Sequence, residues 1–284
     1  MKQRVITGTA FALLVLAGIF FRGWVMFILL SAALIMSVEE VYRAIRNTGI
    51  EPVRWAGYMY CGLTIAAFLV SFFVNRNTPL QMIALLLAVM AAMIRLVSRG
   101  KIAVESLMAT VFPMLYPGIF YMVLMELLRL GSNAEITVAL VLAFFADSVN
   151  DVFALFSGLL FGKHKLSPEL SPKKTVEGAI GGLIFSVLFC MIVPTLVRLV
   201  FSFDPAFAEG IAALPPAWAF GILGLVCGAL SQVGDLTASM IKRHCGVKDF
   251  GALLPGHGGM MDRMDGILFS AAACYIFFKV IKII

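Results

Sequence analysis

A polar segment near the C-terminus, residues 239–265, combines cations, carboxylates and a glycine-rich turn between two apolar stretches. Its basic residues are Lys242, Arg243, Lys248 and Arg263, and its carboxylates are Asp249, Asp262 and Asp265. Basic side chains suit the oxygens of a polyphosphate, and carboxylates are the ligands that Mg²⁺ takes beside substrate phosphates. The segment therefore predicts a site for a polyanion and a metal ion at a membrane surface.

Three more aspartates lie inside apolar stretches. Asp147 and Asp151 are four residues apart, which places both on one face of a helix. At 1.5 Å per residue, Asp151 lies about 16 Å from the polar residues that begin at Gly162, and Asp235 lies about 10 Å before the basic end of its own stretch. A carboxylate at such depth is costly unless it faces water, a cation or a metal, although intramembrane hydrogen bonds could also satisfy it. We predict that Asp235 and Asp262, from different segments, bind Mg²⁺.

A second polar segment, residues 162–176, is rich in lysine and contains the run Ser-Pro-Lys-Lys-Thr just before another apolar stretch. Its backbone amides and the dipole of the following helix could hold phosphate, assisted by Lys174 and Thr175. A lysine-rich loop can equally contact lipid headgroups, and only the coincidence with the buried aspartates favours phosphate binding. His257, between two glycines, is expected to serve the turn or contact phosphate, because a phosphate nucleophile is already anionic and needs no base.

Composition indicates a membrane protein, because only 13% of residues are charged and 61% are hydrophobic, against about 25% charged in soluble domains. We predict an all-α polytopic membrane protein with about nine transmembrane helices and a polar cavity that faces the cytoplasm. The predicted spans are roughly 4–21, 24–41, 55–74, 79–97, 105–129, 136–161, 177–202, 214–241 and 265–283.

The distribution of lysine and arginine predicts the orientation. These residues concentrate in the N-terminal tail and the even-numbered loops, whereas the odd-numbered loops hold only Arg22, Arg76 and Arg129. The N-terminus and both polar segments are therefore predicted to be cytoplasmic and the C-terminus to lie outside. We divide the chain into an N-terminal scaffold, 1–130, and a catalytic region, 131–284, with cytoplasmic loops at about 162–176 and 242–264.

The two polar segments resemble, in order and spacing, those of the phosphatidate cytidylyltransferases (CDP-diacylglycerol synthases). The resemblance rests on Gly-Lys-His-Lys-Leu from Gly162, on Ser-Pro-x-Lys-Thr from Ser171, and on the segment from Ser239 that ends in His-Gly-Gly-x-x-Asp-Arg-x-Asp at Asp265. It covers roughly residues 145–270. It implies an enzyme that converts CTP and phosphatidate to CDP-diacylglycerol and diphosphate with Mg²⁺, with a second cation left open.

Residue roles follow from the resemblance together with the charges. The residues assigned to catalysis are Asp235, Ser239, Lys248, Asp262 and Asp265. Those assigned to substrate binding are Asp151, Lys173, Lys174, Thr175, Lys242, Arg243, His257 and Arg263. The family's intramembrane Asp-Ser-x-Ala-Tyr run aligns with residues 151–155, where the aspartate is kept but the serine and tyrosine are lost. The roles of Asp147 and Asp151 therefore stay open.

Two other functions fit part of the pattern. A CTP-dependent polyprenol or phytol kinase also joins a nucleotide to a membrane lipid, but it would lack the complete C-terminal segment. A cation-coupled transporter would explain carboxylates within the membrane, but it predicts polar groups toward both faces, and here they concentrate on one. The expected partners are CTP, phosphatidate and the lipid bilayer of a bacterial plasma (inner) membrane, without nucleic acid. Glycine pairs at 178/182 and 224/228 leave a homodimer open.

Overall fold

The computed structural model describes residues 2–21, 23–73, 80–98, 104–253 and 258–281, with the backbone alone for residues 2–7. The described chain is helical apart from one β-hairpin, which confirms the predicted all-α class. Its helices are α1 (Lys2–Phe21), α2 (Gly23–Arg46), α3 (Arg54–Phe73), α4 (Leu80–Ser98), α5 (Val104–Pro113), α6 (Phe120–Glu126), α7 (Asn133–Phe161), α8 (Val176–Phe201), α9 (Pro205–Ala212), α10 (Ala217–His244) and α11 (Met261–Ile281).

Within the described residues, seven helical segments are long and apolar enough to cross a membrane. They correspond to the second to eighth predicted spans: Gly23–Arg46, Arg54–Phe73, Leu80–Ser98, Val104–Arg129, Asn133–Phe161, Val176–Phe201 and Ala217–His244. The first predicted span contains a shorter apolar segment, Gly8–Phe21, and the last coincides with most of α11. A polytopic membrane protein is thus confirmed, while the number nine stays a prediction.

The chain forms two compact units. Unit 1 comprises Met1–Ala10, Trp24–Met125 and Lys242–Asp262, and unit 2 comprises Phe11–Gly23, Glu126–Ile241 and Arg263–Ile284. The polar segment before α11 therefore belongs with the N-terminal helices, and the hairpin belongs with the C-terminal ones. The predicted division at residue 130 stays a prediction.

In unit 1, α2 continues to Arg46, past the predicted end at 41. It can do so because Glu39 has polar partners, accepting hydrogen bonds from Arg54 Nη2 and the Tyr58 hydroxyl, both at 2.5 Å.

The span Val104–Arg129 is not a regular helix: a π-helical turn, Met114–Ile119, separates α5 from α6. Pro117 has no N–H to donate, so the regular ladder of hydrogen bonds cannot run through this turn.

In unit 2, glycines allow α7, α8 and α10 to approach closely. A side chain at Gly178 would lie 2.6 Å from the Ala154 carbonyl oxygen of α7, and one at Gly182 would lie 2.5 Å from Asn150 Oδ1. Gly224 in the same way faces the backbone of α8 at Ser186. The glycine pairs therefore serve packing within the chain, and the homodimer stays a prediction.

The segment between α7 and α8 forms an antiparallel hairpin of β1 (Lys165–Ser167) and β2 (Ser171–Thr175). The Ser-Pro-Lys-Lys-Thr run is thus a strand, and only Thr175 reaches the helix, as the N-cap of α8 whose hydroxyl accepts from Gly178 N at 3.1 Å. Glu177 holds the first strand in place. Its carboxylate accepts hydrogen bonds from the amides of Lys163 (3.0 Å) and His164 (3.2 Å), and it contacts His164 Nδ1 at 2.6 Å.

Candidate functional site

Four aspartates and one lysine gather in unit 2. The Lys174 ammonium, from β2, forms an ion pair in direct contact with the Asp235 carboxylate of α10. Asp147 and Asp151 share a face of α7, and Asp265 comes from the first turns of α11. Burial disfavours the charged form of Lys174, but Asp235 and Asp151 outweigh it and raise the pKa of this ammonium above its ordinary value. Lys174 is therefore a fixed positive charge among carboxylates.

The backbone of α11 makes room for this cluster at Gly266. A side chain there would overlap the carboxylate of Asp147, and a side chain at Gly234 of α10 would lie 2.5 Å from the Asp265 carbonyl oxygen. Asp147 and Asp265 are both only 9% exposed. The backbone of α11 thus packs against the Asp147 carboxylate of α7 and against the backbone of α10.

A cavity of about 480 Å³ opens beside the cluster, within unit 2. Its polar wall includes Asp151, Lys173, Lys174, Thr175 and Asp235, all of which were predicted from the sequence. Its other wall is apolar and includes Leu155, Leu159 and Leu166. The cavity can therefore accommodate a group that is anionic at one end and apolar at the other.

Asn150 and Gln232, also in the cavity wall, were missed by the sequence argument. Gln232 Nε2 donates to Asn150 Oδ1 (3.0 Å) and to the Ala179 carbonyl oxygen (3.0 Å), and Asn150 Nδ2 donates to Ser231 Oγ (3.3 Å). These hydrogen bonds connect α7, α8 and α10 at the wall of the cavity. Amides inside an apolar stretch were the available signal, since buried polar groups require partners.

In unit 1, Asp262 organises the polar segment that precedes α11. Its Oδ1 accepts a hydrogen bond from Lys242 Nζ at 2.8 Å, and its Oδ2 accepts from the amides of Phe250 (2.8 Å) and Gly259 (2.9 Å). The Asp262 side chain is only 4% exposed. Lys242 also lies 5.5 Å from the centre of the Phe250 ring. The pair Lys242–Asp262 thus links the last turn of α10 to the first turn of α11.

The remaining predicted residues have varied surroundings. Lys173, Arg243 and Lys248 are exposed, whereas Ser239 and Arg263 are half-buried. His257 lies outside the described residues, so its predicted role stays a prediction. Asp235 belongs to unit 2 and Asp262 to unit 1, and their joint binding of a metal also stays a prediction.

Comparison with known proteins identifies the family. A model of the cytidylyltransferase family matches residues 2–281. The chain belongs to the cytidylyltransferase family. Similar proteins include phosphatidate cytidylyltransferase 4, chloroplastic, of Arabidopsis thaliana, 31% identical over 307 residues that cover 98% of this chain and 73% of the relative. The phosphatidate cytidylyltransferase of Thermotoga maritima is 42% identical over 139 residues, covering 47% of this chain and 46% of the relative. The one from Brucella abortus is 42% identical over 127 residues, covering 45% and 42%.

The donor groups of this family member suit a hard divalent cation, since oxygen ligands are what Mg²⁺ prefers. Asp235 already contacts one cationic group, the Lys174 ammonium. The carboxylates of Asp147, Asp151 and Asp265 lie near the same ammonium and could offset the charge of a bound cation. Among the described residues, no three acidic, histidine or cysteine side chains converge on a single point. Asp262 Oδ1 accepts a hydrogen bond from Lys242 Nζ, so a metal at this oxygen would compete with the lysine. The residues fit Mg²⁺ chemically.

Proposed function

We propose that this protein is a phosphatidate cytidylyltransferase. In the reaction, an oxygen of the phosphatidate phosphate forms a bond to the α-phosphorus of CTP. The bond between the α-phosphorus and the oxygen bridging to the β-phosphorus breaks, and diphosphate leaves. The phosphate monoester is anionic near pH 7, so no base is needed to activate it. The task of the protein is therefore to align two mutually repelling polyanions and to balance their charge.

The observation that carries this proposal is the cavity of unit 2. The cavity is lined on one side by the Lys174–Asp235 pair, Lys173 and Thr175, and on the other by apolar side chains of membrane-spanning helices and the hairpin. A soluble phosphate ester would not need the apolar wall, and a neutral lipid would not need the lysines. The cavity therefore suits a lipid phosphate, and the family supplies the nucleotide chemistry.

Each predicted residue has a proposed task. Lys173, Lys174 and Thr175 hold the lipid phosphate in the cavity of unit 2, while Asp151 keeps Lys174 charged. In unit 1, Lys242, Arg243 and Lys248 bind triphosphate oxygens. The tasks assigned from the family resemblance stay proposed for four other residues. These tasks are catalysis for Ser239 and Asp265, and substrate binding for His257 and Arg263. Asp235 and Asp262 are the proposed Mg²⁺ ligands. Bound Mg²⁺ would neutralise phosphate charge during transfer, and a second cation stays a prediction.

The proposal is tested with purified protein in detergent, phosphatidate, Mg²⁺ and CTP labelled at either the α- or the γ-phosphate. We expect α-label, and no γ-label, in the extracted lipid. A polyprenol or phytol kinase gives the opposite pattern, because it transfers the γ-phosphate. Diacylglycerol, which lacks the nucleophilic phosphate, serves as the control acceptor. Absence of α-label in the lipid fraction would reject the proposal.

We further propose that the hairpin and the segment before α11 face the cytoplasm of a bacterium, where CTP is available, and that the C-terminus lies outside. Cysteines introduced at Glu169, in the exposed hairpin turn, and at Ser202, at the exposed end of α8, test this orientation. The five native cysteines, all buried, are first removed. A membrane-impermeant thiol reagent added to intact cells should label position 202 but not 169. Labelling of position 169 from outside would reverse the topology.

The homodimer stays a prediction, to be tested by light scattering in detergent.

A further inference from the structure

Glu40 of α2 contacts the start of α11 at Met260 and Met261, although 220 and 221 residues separate these partners from it in sequence. Its Oε1 accepts a hydrogen bond from the Met260 amide at 3.0 Å, and its Oε2 accepts one from the Met261 amide at 2.8 Å. The residue is 5% exposed. A buried carboxylate is expensive unless both oxygens are satisfied, and here backbone amides satisfy both.

Glu40 and Asp262 together bind the amides at the start of α11. Asp262 Oδ2 accepts from Gly259 N, and Glu40 accepts from the next two amides along the chain. The first amides of a helix have no partners within it, and its dipole favours negative charge at this end. The two carboxylates thus fix consecutive residues of one turn.

The same contact explains two glycines of the loop. A side chain at Gly251 or at Gly259 would overlap the Glu40 carboxylate. Gly258 has a φ of +85°, which other residues rarely adopt. Gly251 and Gly259 therefore make space for a carboxylate from another helix.

We infer that Glu40 is a positioning residue of the reaction, which acts by holding residues 258–262 so that Asp262 keeps its contacts with Lys242 and the Phe250 amide, and the basic residues before them face the nucleotide. This inference rests on the proposed function for its substrate. Both Glu40 oxygens are occupied by backbone amides, so its task is to place the loop rather than to contact the reacting atoms. The N-terminal half of the chain thereby takes part in the site, where the sequence indicated only a scaffold.

The test compares Glu40→Gln with Glu39→Gln in the purified, full-length protein. Glutamine keeps the size of the side chain but has one acceptor oxygen and no charge. Glu39 is the matched control, because it lies next to Glu40 on α2 yet binds Arg54 and Tyr58. Hydrogen exchange of the peptide covering residues 258–262, thermal stability, and the KM and kcat for each substrate are measured for both variants.

Glu40→Gln should accelerate amide exchange in this peptide at least tenfold and lower kcat/KM for CTP at least tenfold. The KM for phosphatidate at saturating CTP should change less than threefold, and Glu39→Gln should change neither exchange in this peptide nor CTP kinetics. Unchanged exchange would refute the contact, and faster exchange with normal CTP kinetics would refute the positioning role. If wild-type protein shows no cytidylyl transfer, the proposed function fails, whereas the exchange result still judges the contact.

A second variant tests the inference without altering Glu40. Gly259→Ala places a methyl group against the Glu40 carboxylate and should reproduce the loss in kcat/KM for CTP. Shortening the acid in that background, with Glu40→Asp, should recover at least threefold of the loss, because neighbouring substitutions are not additive. Wild-type kinetics in Gly259→Ala would overturn the inference.

Discussion

Removal of the Lys174 charge should reveal how the acidic cluster of unit 2 is used. Lys174→Met keeps the length and apolar stem of the side chain but leaves Asp235 and its neighbouring carboxylates without their internal cation. We expect two effects of opposite direction. Phosphatidate use should become worse, because a cation that binds its phosphate is lost. Mg²⁺ should bind more tightly, because the ammonium no longer competes for the carboxylates.

The magnitude follows from the contact that the Lys174 ammonium is proposed to make with the phosphate of phosphatidate. Two unit charges about 4 Å apart interact by about 4 kcal/mol at an effective dielectric constant near 20. The side chains of Lys174 and Asp235 remain 27% and 26% exposed, so water screens part of this energy. Loss of a screened interaction of about 1.4 to 2.8 kcal/mol between the ammonium and the phosphate corresponds to roughly a 10- to 100-fold loss in kcat/KM for phosphatidate.

The assay measures initial rates in detergent micelles, with phosphatidate varied at saturating CTP and with Mg²⁺ varied separately. Lys165→Met is the matched control, because Lys165 is an exposed lysine of the same hairpin. Lys174→Arg keeps the charge and should retain most of the activity. The reasoning is refuted if Lys174→Met keeps kcat/KM for phosphatidate within twofold of wild type, or if it needs more Mg²⁺ rather than less.

Three further variants test other parts of the structure. Asp262→Asn should abolish turnover in a protein that is still folded and membrane-inserted, and near-normal rates at saturating Mg²⁺ would exclude its metal and loop roles. Lys248→Ala should raise the KM for CTP at least fivefold, because an exposed point charge on the triphosphate is lost; a change confined to phosphatidate kinetics would assign this lysine to the wrong substrate. Gly266→Ala should lower stability by about 1–3 kcal/mol in thermal denaturation, because the methyl group overlaps the Asp147 carboxylate, and an unchanged midpoint would contradict that packing.

The helices were predictable because a backbone in hydrocarbon must satisfy its own hydrogen bonds, which leaves few structures for long apolar stretches. The aspartates of the site were predictable for a related reason, since an unpaired buried charge is too costly to be accidental. Asp147, Asp151 and Asp235, the three aspartates found inside apolar stretches, lie around one cation, Lys174.

Other features depend on contacts that no local pattern reveals. The sequence assigns both Lys173 and Lys174 to substrate binding, and strand geometry decides that Lys174 turns toward Asp235 while Lys173 stays exposed. The hairpin itself was missed, because strands of three and five residues are too short to show periodicity. Glu40 lies near the end of the second predicted span, 24–41, and nothing in its local sequence reveals partners more than two hundred residues away.

The π-helical turn in unit 1 has a consequence for how the protein is made. Tyr116, with φ −131° and ψ 112°, leaves helical geometry inside a membrane span. Thr110, earlier in the same span, has partners from other segments. Its carbonyl oxygen accepts a hydrogen bond from the Tyr42 hydroxyl at 2.6 Å, and its Oγ1 accepts one from Val53 N at 2.7 Å. An isolated span of this kind would meet lipid with backbone groups unpaired. During synthesis, the segment Val104–Arg129 should therefore leave the translocon only with α2 and α3 already beside it. Biogenesis of the N-terminal helices should proceed as a group rather than one span at a time.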